Sequence, residues 1–378
     1  VKIVTVIGAR PQIIKSAALS RSIRNHKQSV EEIVLHTGQH YDHNMSQVFI
    51  DELELLPPQI NLNVGSMSHA SQTAAIMTGV EQVLISEKPD WLVIYGDTNS
   101  TLAAAIAASK IHTPIVHIEA GLRSFNKSMP EEINRVVADH LSTLLFVPTQ
   151  TGIDNLRNEG FGLNNKGKFN VDHPGVFLCG DLMYDNSLYF SDKAEEKTNI
   201  IEDLKLSNNS FILATIHRDN NTDHPERLNA IFSALAQIAL ESQLAVVLPL
   251  HPRTKKMLEI HLDETSKSFM NSSHFKLIPP TSFLEMIALE KNAKIVMTDS
   301  GGVQKEAYFF KKPCVILRPE TEWVELVQAG AAIIADADPQ RIVEAFNQLI
   351  EKKEINFDPI YGDGKAADQM LEIMLKNH

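Results

Sequence analysis

Residues 294–307 read KIVMTDSGGVQKEA. A run of apolar β-formers from Ala293 to Met297 meets the paired glycines Gly301 and Gly302 and passes at once into a helix-like segment. A strand that turns through glycine into a helix leaves unpaired backbone N–H groups at the helix N-terminus, where an anion can sit. The stretch therefore predicts one βα unit of a parallel sheet whose strand end offers Ser300, Gly301 and Gly302 to a phosphate. Glu306, one helical turn further on, is placed to reach a ribose diol. A plain tight turn would read the same way. The turn is not a Walker loop, because no Gly-Lys-Ser/Thr follows.

The same rhythm runs through the chain. Residues 2–7, 32–36, 91–95, 115–118 and 144–147 read as buried parallel strands, separated by amphipathic stretches such as Ile13–Arg24, Thr73–Ser86 and Ser100–Lys110. A second series follows at 176–179, 211–216, 245–249, 275–278, 294–297 and 314–317. Alternating βα units predict α/β architecture with doubly wound parallel sheets. At 378 residues the chain exceeds what one hydrophobic core supports. The rhythm breaks between Asn164 and Pro174, which predicts a first Rossmann-like domain over 1–170 and a second over 171–361. Residues 362–378 read as a helix that closes the second domain or crosses back onto the first.

Composition narrows the function. A formal net charge of −12 argues against a nucleic-acid partner. The two cysteines, Cys179 and Cys314, sit in apolar strand-like runs and read as buried small hydrophobes of a reducing compartment. The N-terminal apolar run is too short for a signal peptide and no 18-residue apolar stretch occurs, so no membrane insertion and a cytoplasmic location are expected.

In open α/β sheets the ligand crevice lies beyond the carboxyl ends of the strands. The residues just after each apolar run are Gly8-Ala9-Arg10-Pro11-Gln12, Gly96-Asp97-Thr98-Asn99-Ser100, and Glu119-Ala120-Gly121-Leu122-Arg123 leading to Pro130-Glu131-Glu132-Ile133-Asn134-Arg135. In the second half they are His217-Arg218-Asp219, His251-Pro252-Arg253 and Asp299-Ser300-Gly301-Gly302. Carboxylates collect on the first half's rim; histidine, arginine and a glycine turn collect on the second's. His112, His117 and His140 read as structural or surface residues. The first strand ends in GARPQ without G-x-G-x-x-G, so no nicotinamide or flavin cofactor is expected. The His and carboxylate residues lie on separate strand ends without compact ligand spacing, so no metal is expected either.

GARPQIIK, HTGQH, YGDTNST, HIEAGLRS, PEEINR, TIHR, HPR, TDSGGVQKEA and a terminal YGDGKA occur together, in this order. On these motifs the whole chain resembles the non-hydrolysing UDP-N-acetylglucosamine 2-epimerase family. The resemblance implies two Rossmann-like domains arranged as in GT-B glycosyltransferases, with a UDP-sugar in an inter-domain cleft. It implies Asp97, Glu119 and Glu131 as catalytic carboxylates and His217 at the diphosphate. Ser300, Gly301 and Gly302 are implied as the phosphate turn and Glu306 as the ribose contact. Arg10, Lys15 and Arg135 are implied as basic residues lining the substrate pocket. His251 matches a histidine of a segment tied to regulation in some members, but that segment reads HPRT here. A homodimer through first-domain helices and a role in bacterial surface polysaccharide synthesis are implied as well. GARPQ, where many members read GTRPE, together with HIEAGLRSFN, KEAYFFKKPC and TEWVEL, looks more like the branch acting on UDP-2,3-diacetamido-2,3-dideoxyglucuronic acid. A neutral Gln12 in place of Glu would ease the binding of a more anionic sugar.

The chemistry suits these residue types. No carbonyl acidifies the C2 proton of an N-acetylhexosamine, so a route without redox breaks the anomeric C–O bond first. Positive charge then builds at C1, the C2 proton leaves, and a 2-acetamidoglycal forms. Carboxylates stabilise that charge and shuttle protons. Clustered carboxylates raise one another's pKa, which equips one of them as an acid near neutrality. The rival readings are a GT-B glycosyltransferase, a hydrolysing epimerase and a metal-dependent phosphoesterase.

Overall fold

The computed structural model describes residues 1–26, 30–39, 52–55, 57–163, 167–250 and 252–378. The chain forms two compact units, residues 1–188 with 359–378, and residues 189–358. Each is an α/β unit built on one Rossmann-like parallel sheet.

In the first unit the strands are β1 (Lys2–Ile7), β2 (Glu31–His36), β3 (Ile60–Asn61), β4 (Trp91–Tyr95), β5 (Ile115–Ile118), β6 (Leu144–Val147) and β7 (Gly175–Leu178). They lie in the order β3-β2-β1-β4-β5-β6-β7, all neighbours parallel. Helices α1 (Arg10–Asn25), α2 (His69–Glu87), α3 (Asn99–Lys110), α4 (Pro130–Leu141), α5 (Gln150–Asn158) and α6 (Leu182–Lys197) punctuate them. The central strands read as unbroken apolar runs because helices cover both faces of a parallel sheet. Five alanines of α3, Ala103, Ala104, Ala105, Ala107 and Ala108, are buried, and their small side chains let the helix lie close to the sheet. Ile76, Val80 and Leu84 of α2 fill the space beside them. Each such side chain contributes roughly 1.5–3 kcal/mol, so Leu84→Ala is the single change that would open this layer.

The strand order reverses between β1 and β4, which puts the crevice where Gly8 and Gly96 follow those strands. In the second unit β8 (Phe211–Thr215), β9 (Ala245–Pro249), β10 (Phe275–Ile278), β11 (Ile295–Thr298), β12 (Cys314–Ile316) and β13 (Ala332–Ile334) run in the order β10-β9-β8-β11-β12-β13. Its reversal lies between β8 and β11, where His217 and Asp299 emerge. Phe232, Leu235 and Ile238 of α7 (Pro225–Ser242) pack on Ile212, Val246 and Met297 of this sheet. Two further helices matter below, α8 (Phe283–Asn292) and α9 (Gly301–Phe309).

The strand near residue 176 differs from the sequence reading. It pairs with β6, Leu145 opposite Val176, and is the edge of the first sheet rather than the start of the second. Periodicity marks a strand but does not say which sheet receives it. The polar stretch before it, of which 164–166 fall outside the described residues, connects two elements of one unit. The chain changes unit further on, inside α6. After the second unit it returns. The C-terminal helix Ala366–Lys376 packs on α1, with Ser22 Oγ donating to Asp368 Oδ1 at 2.6 Å. Trp91 Nε1 donates to Met374 O at 3.2 Å, and Asp185 of α6 accepts the N–H groups of Ala366 (3.2 Å) and Ala367 (2.8 Å). Gly180, at φ +88°, permits this closure, since a Cβ there would stand 2.6 Å from Tyr361 O.

Candidate active site

The first unit's crevice is built from the ends of β1, β4 and β5. Gly8 ends β1 against Thr37 and Ser100, and a Cβ on it would stand 2.2 Å from both hydroxyl oxygens. Gln12 accepts N–H bonds from Gly8 (2.9 Å) and Ala9 (3.1 Å) and donates to Tyr95 O (2.9 Å) and Thr101 Oγ1 (3.0 Å). It is buried, and all four bonds serve the backbone turn. Gln12 is therefore a knot between β1 and β4 rather than a group facing the ligand. Its nitrogen donates to a carbonyl, which an ionised carboxylate could not do.

Lys15, one turn further along α1, pairs its ammonium with Glu119 Oε2, both side chains nearly buried. Arg135 of α4 pairs with Asp97 Oδ2 and donates to Glu132 Oε2 at 3.2 Å. Desolvation raises the Asp97 carboxyl above its ordinary value and the charge of Glu119 adds to this, while Arg135 and Lys15 oppose it. About a third of the Asp97 side chain (32%) stays exposed, so it remains reachable. The two glutamates of PEEINR separate. Glu132 is buried and accepts from Ser124 N (2.9 Å), Ser124 Oγ (3.0 Å) and Phe125 N (3.0 Å), which makes it the anchor of the preceding loop. Glu131 is exposed and shares with Asp97, His69, Asn99 and Asn134 the lining of a cavity of about 350 Å³. Arg10 opens α1 and is exposed.

In the second unit Asp299 is fully buried and collects the N–H groups of His217 (3.1 Å) and Arg218 (3.0 Å) and Nδ2 of Asn221 (3.1 Å). It staples the end of β8 to the end of β11 and places His217, half exposed, with Nδ1 3.3 Å from Asp299 Oδ1. Sequence reasoning met Asp299 as one more strand-end residue and gave it no task. Ser300 is the N-cap of α9, its Oγ accepting from Val303 N at 3.5 Å. Gly301 and Gly302 are the first helical residues, so their N–H groups have no intrahelical partner. Around a Cβ built on Gly301 stand Glu322 Oε2 at 3.6 Å, Trp323 Nε1 at 3.7 Å and Arg318 Nη1 at 3.8 Å. Arg318 in turn clasps Glu322 with two bonds of 3.1 and 2.9 Å.

Glu306 lies one turn along α9, Oε2 3.9 Å from a Cβ built on Gly302. Behind it sits Glu290 of α8, fully buried, with no N–H donor on either oxygen among the described residues. Burial and the charge of Glu306 push Glu290 well above the carboxylate range. His251 lies outside the described residues. Among the described residues no group of three or more His, Cys, Asp or Glu side chains is gathered as a metal would need.

The first unit thus gathers Asp97, Glu119, Lys15 and Arg135, with Glu131 beside Asp97. The second gathers His217, Ser300, Gly301, Gly302 and Glu306 on an anion-accepting turn. One unit is fitted for proton transfer at carboxylates and the other for a phosphate with a diol one helical turn away.

Known proteins fit the same pattern. Residues 21–375 match the family described as UDP-N-acetylglucosamine 2-epimerase. A Methanococcus maripaludis protein named as a UDP-N-acetylglucosamine 2-epimerase homolog is 48% identical over 99% of both chains. The UDP-2,3-diacetamido-2,3-dideoxy-D-glucuronate 2-epimerase of Pseudomonas aeruginosa is 44% identical, again over 99% of both. The crystal structure of Methanocaldococcus jannaschii UDP-GlcNAc 2-epimerase in complex with UDP-GlcNAc and UDP superposes with a TM-score of 0.86 at 37% identity, covering 100% of both chains.

Proposed function

The chain belongs to the UDP-N-acetylglucosamine 2-epimerase family, isomerases acting on nucleotide sugars, and we propose that it interconverts UDP-N-acetylglucosamine and UDP-N-acetylmannosamine. The observation that carries this reading is the pairing of two of the three candidate carboxylates with a cation, Glu119 with Lys15 and Asp97 with Arg135, at the switch point of the first sheet. In the proposed reaction the anomeric C1–O bond breaks and its electron pair leaves with UDP. A carboxylate removes the C2 proton, whose electron pair becomes the C1=C2 bond of the 2-acetamidoglycal. A proton returned to the opposite face of C2 and re-addition of UDP at C1 complete the inversion, with no net oxidation.

The roles follow from position. The N–H groups of Gly301 and Gly302, with Ser300 and His217, receive the diphosphate, and Glu306 accepts from the ribose. Glu119 and Asp97 face the developing charge at C1 and C2. The raised pKa of Asp97 suits it to hold a proton nearer neutrality than an ordinary aspartate does. Glu131 joins them as the third carboxylate, and Arg10 lines the entrance. The charge of Glu119 acts on Asp97, so protonation of one is tied to the state of the other.

A second reading is favoured by one observation. Identity is higher to the diacetamido-glucuronate enzyme, 44%, than to the M. jannaschii UDP-GlcNAc enzyme, 37%. The same elimination and re-addition then act on UDP-2,3-diacetamido-2,3-dideoxyglucuronate. The family resemblance also supports a cytoplasmic homodimer that feeds a bacterial surface polysaccharide; among the described residues no helix is long and apolar enough to cross a membrane.

Proton NMR of the purified protein with each UDP-sugar in D2O tests the reading. The expected result is the C2 epimer carrying deuterium at C2. A deuterium-free epimer would overturn proton transfer, and failure to epimerise either sugar would overturn the function.

A further inference from the structure

Beneath the candidate carboxylates lies a second polar layer that the reaction does not touch. His117 of β5 and Asp139 of α4 are fully buried, and Arg123 is nearly so. His117 Nδ1 lies 2.6 Å from Asp139 Oδ1, and its Nε2 lies 2.8 Å from the carbonyl oxygen of Gly96. A carbonyl can only accept. Asp139 can only accept as well: Arg123 Nη1 at 2.8 Å and the Gly121 N–H at 3.1 Å on its Oδ2 are the partners of a carboxylate. Both ring nitrogens are therefore placed to donate.

Its two bonds reach the two places that matter. Gly96, in the left-handed region at φ +58°, immediately precedes Asp97. Two residues after His117 comes Glu119, itself left-handed at φ +71°, a conformation that is strained for a non-glycine residue. The backbone there is clamped. Glu119 N and Ala120 N both donate to Phe146 O at 3.1 Å, and Gly121 N donates to Asp139 Oδ2 at 3.1 Å. Arg123 Nη1 lies 2.8 Å from Asp139 Oδ2 and its guanidinium grips Glu159 at 2.6 and 2.7 Å. Asp139 is thus the hub through which β5, α4 and the loop after Glu119 are locked together.

We infer that His117, held as a doubly donating imidazolium between Gly96 O and Asp139, is the positioning residue that fixes Asp97 and Glu119 in register for C2 inversion. The inference rests on the epimerase reading for its catalytic readout, but not for its charge state. His117 touches no substrate. Its charge is spent on Asp139, and its effect on the carboxylates runs through the backbone at Gly96 and the Asp139-held loop. A displacement of about 1 Å in a reacting group costs on the order of 10²-fold in rate.

Two measurements test it. The first is 15N NMR of histidine-labelled wild-type protein, with the His117 signals assigned by their loss in His117→Gln. Both ring nitrogens are expected protonated at pH 8; a neutral ring there overturns the inference. The second compares His117→Gln with wild type for folding, UDP affinity and steady-state kinetics. A kcat lower by about 10²-fold, with UDP affinity and KM within about threefold, is expected. Unchanged kcat, or a KM effect with kcat intact, overturns it. Should His117→Gln fail to fold, Asp139→Asn, with the ring now observed as neutral and kcat lowered in the same way, takes its place. If the wild type turns over neither UDP-sugar, the epimerase reading fails while the ring's charge state still tests the His117–Asp139 assignment.

Discussion

The two units neutralise their buried carboxylates by opposite means. In the first, Glu119 meets Lys15, Asp97 and Glu132 meet Arg135, and Asp139 meets His117 and Arg123. In the second, Asp299 is satisfied by backbone N–H groups and one side-chain amide, and Glu290 is kept protonated by burial and the neighbouring charge of Glu306. On the proposed function the difference follows from what each unit would do. Carboxylates that exchange protons with a sugar need full charges beside them, to stay ionised without water and to be aimed. A unit that receives a diphosphate gains by leaving the N–H groups of its glycine turn unclaimed. Asp299 and Glu290 are accordingly tied down without a cation, while Glu322 keeps Arg318.

The largest effect should come from breaking the cation-paired set. Glu119→Gln and Asp97→Asn are expected to lower kcat by about 10²–10⁴-fold while calorimetric UDP affinity holds. A parallel loss of UDP affinity would dissolve the division of labour between the units. Next comes an exception inside the first unit. Asp185 has amide partners at Ala366 and Ala367, and burial pushes its pKa up to about 6. Its folded value is raised, so the stability it contributes is complete below the ordinary value near 4, falls as pH rises from about 4 to 6, and is constant above. The total is on the order of 3 kcal/mol, and Asp185→Asn should flatten that stretch of the denaturation-versus-pH curve.

A smaller change is expected at the phosphate turn. A Cβ built on Gly302 meets nothing closer than 3.9 Å, so Gly302→Ala should keep the melting temperature. It should nonetheless weaken UDP binding by roughly 10–100-fold, because the diphosphate loses its close approach to the N–H groups. Last in the set, Glu290→Gln keeps a neutral group beside Glu306. It should leave stability at pH 4 unaltered and raise it at pH 8, because the wild-type acid ionises more readily unfolded than folded. A loss at pH 8 would mean that Glu290 is not held neutral in the fold.

The strand-end residues were legible in the sequence because a strand's last apolar residue marks where the crevice begins. Asp97, Glu119, His217 and the Ser300–Gly302 turn all emerge at strand ends in the structure, and the two sheets have the doubly wound order that alternating βα units predict. Direction was not legible. PEE places two carboxylates at the start of a helix, and only the fold turns Glu132 inward to a loop and Glu131 outward to a cavity. Gln12 read only as a neutral residue in place of Glu, and in the structure it is a knot between strands. His117 looked like a structural or surface residue because one letter in a strand does not disclose the carbonyl and carboxylate facing it from two other elements. The edge strand β7 was given to the wrong sheet for the same reason: pairing is a long-range fact.

The return of the chain to the first unit has a consequence for biosynthesis. Met374 caps Trp91 and Asp185 receives the start of the C-terminal helix, yet the whole of the second unit is translated between those partners. On the ribosome the first sheet can be assembled early but stays unsealed while residues 189–358 emerge. The second unit is free to fold as a continuous segment, and the one made first is the one finished last.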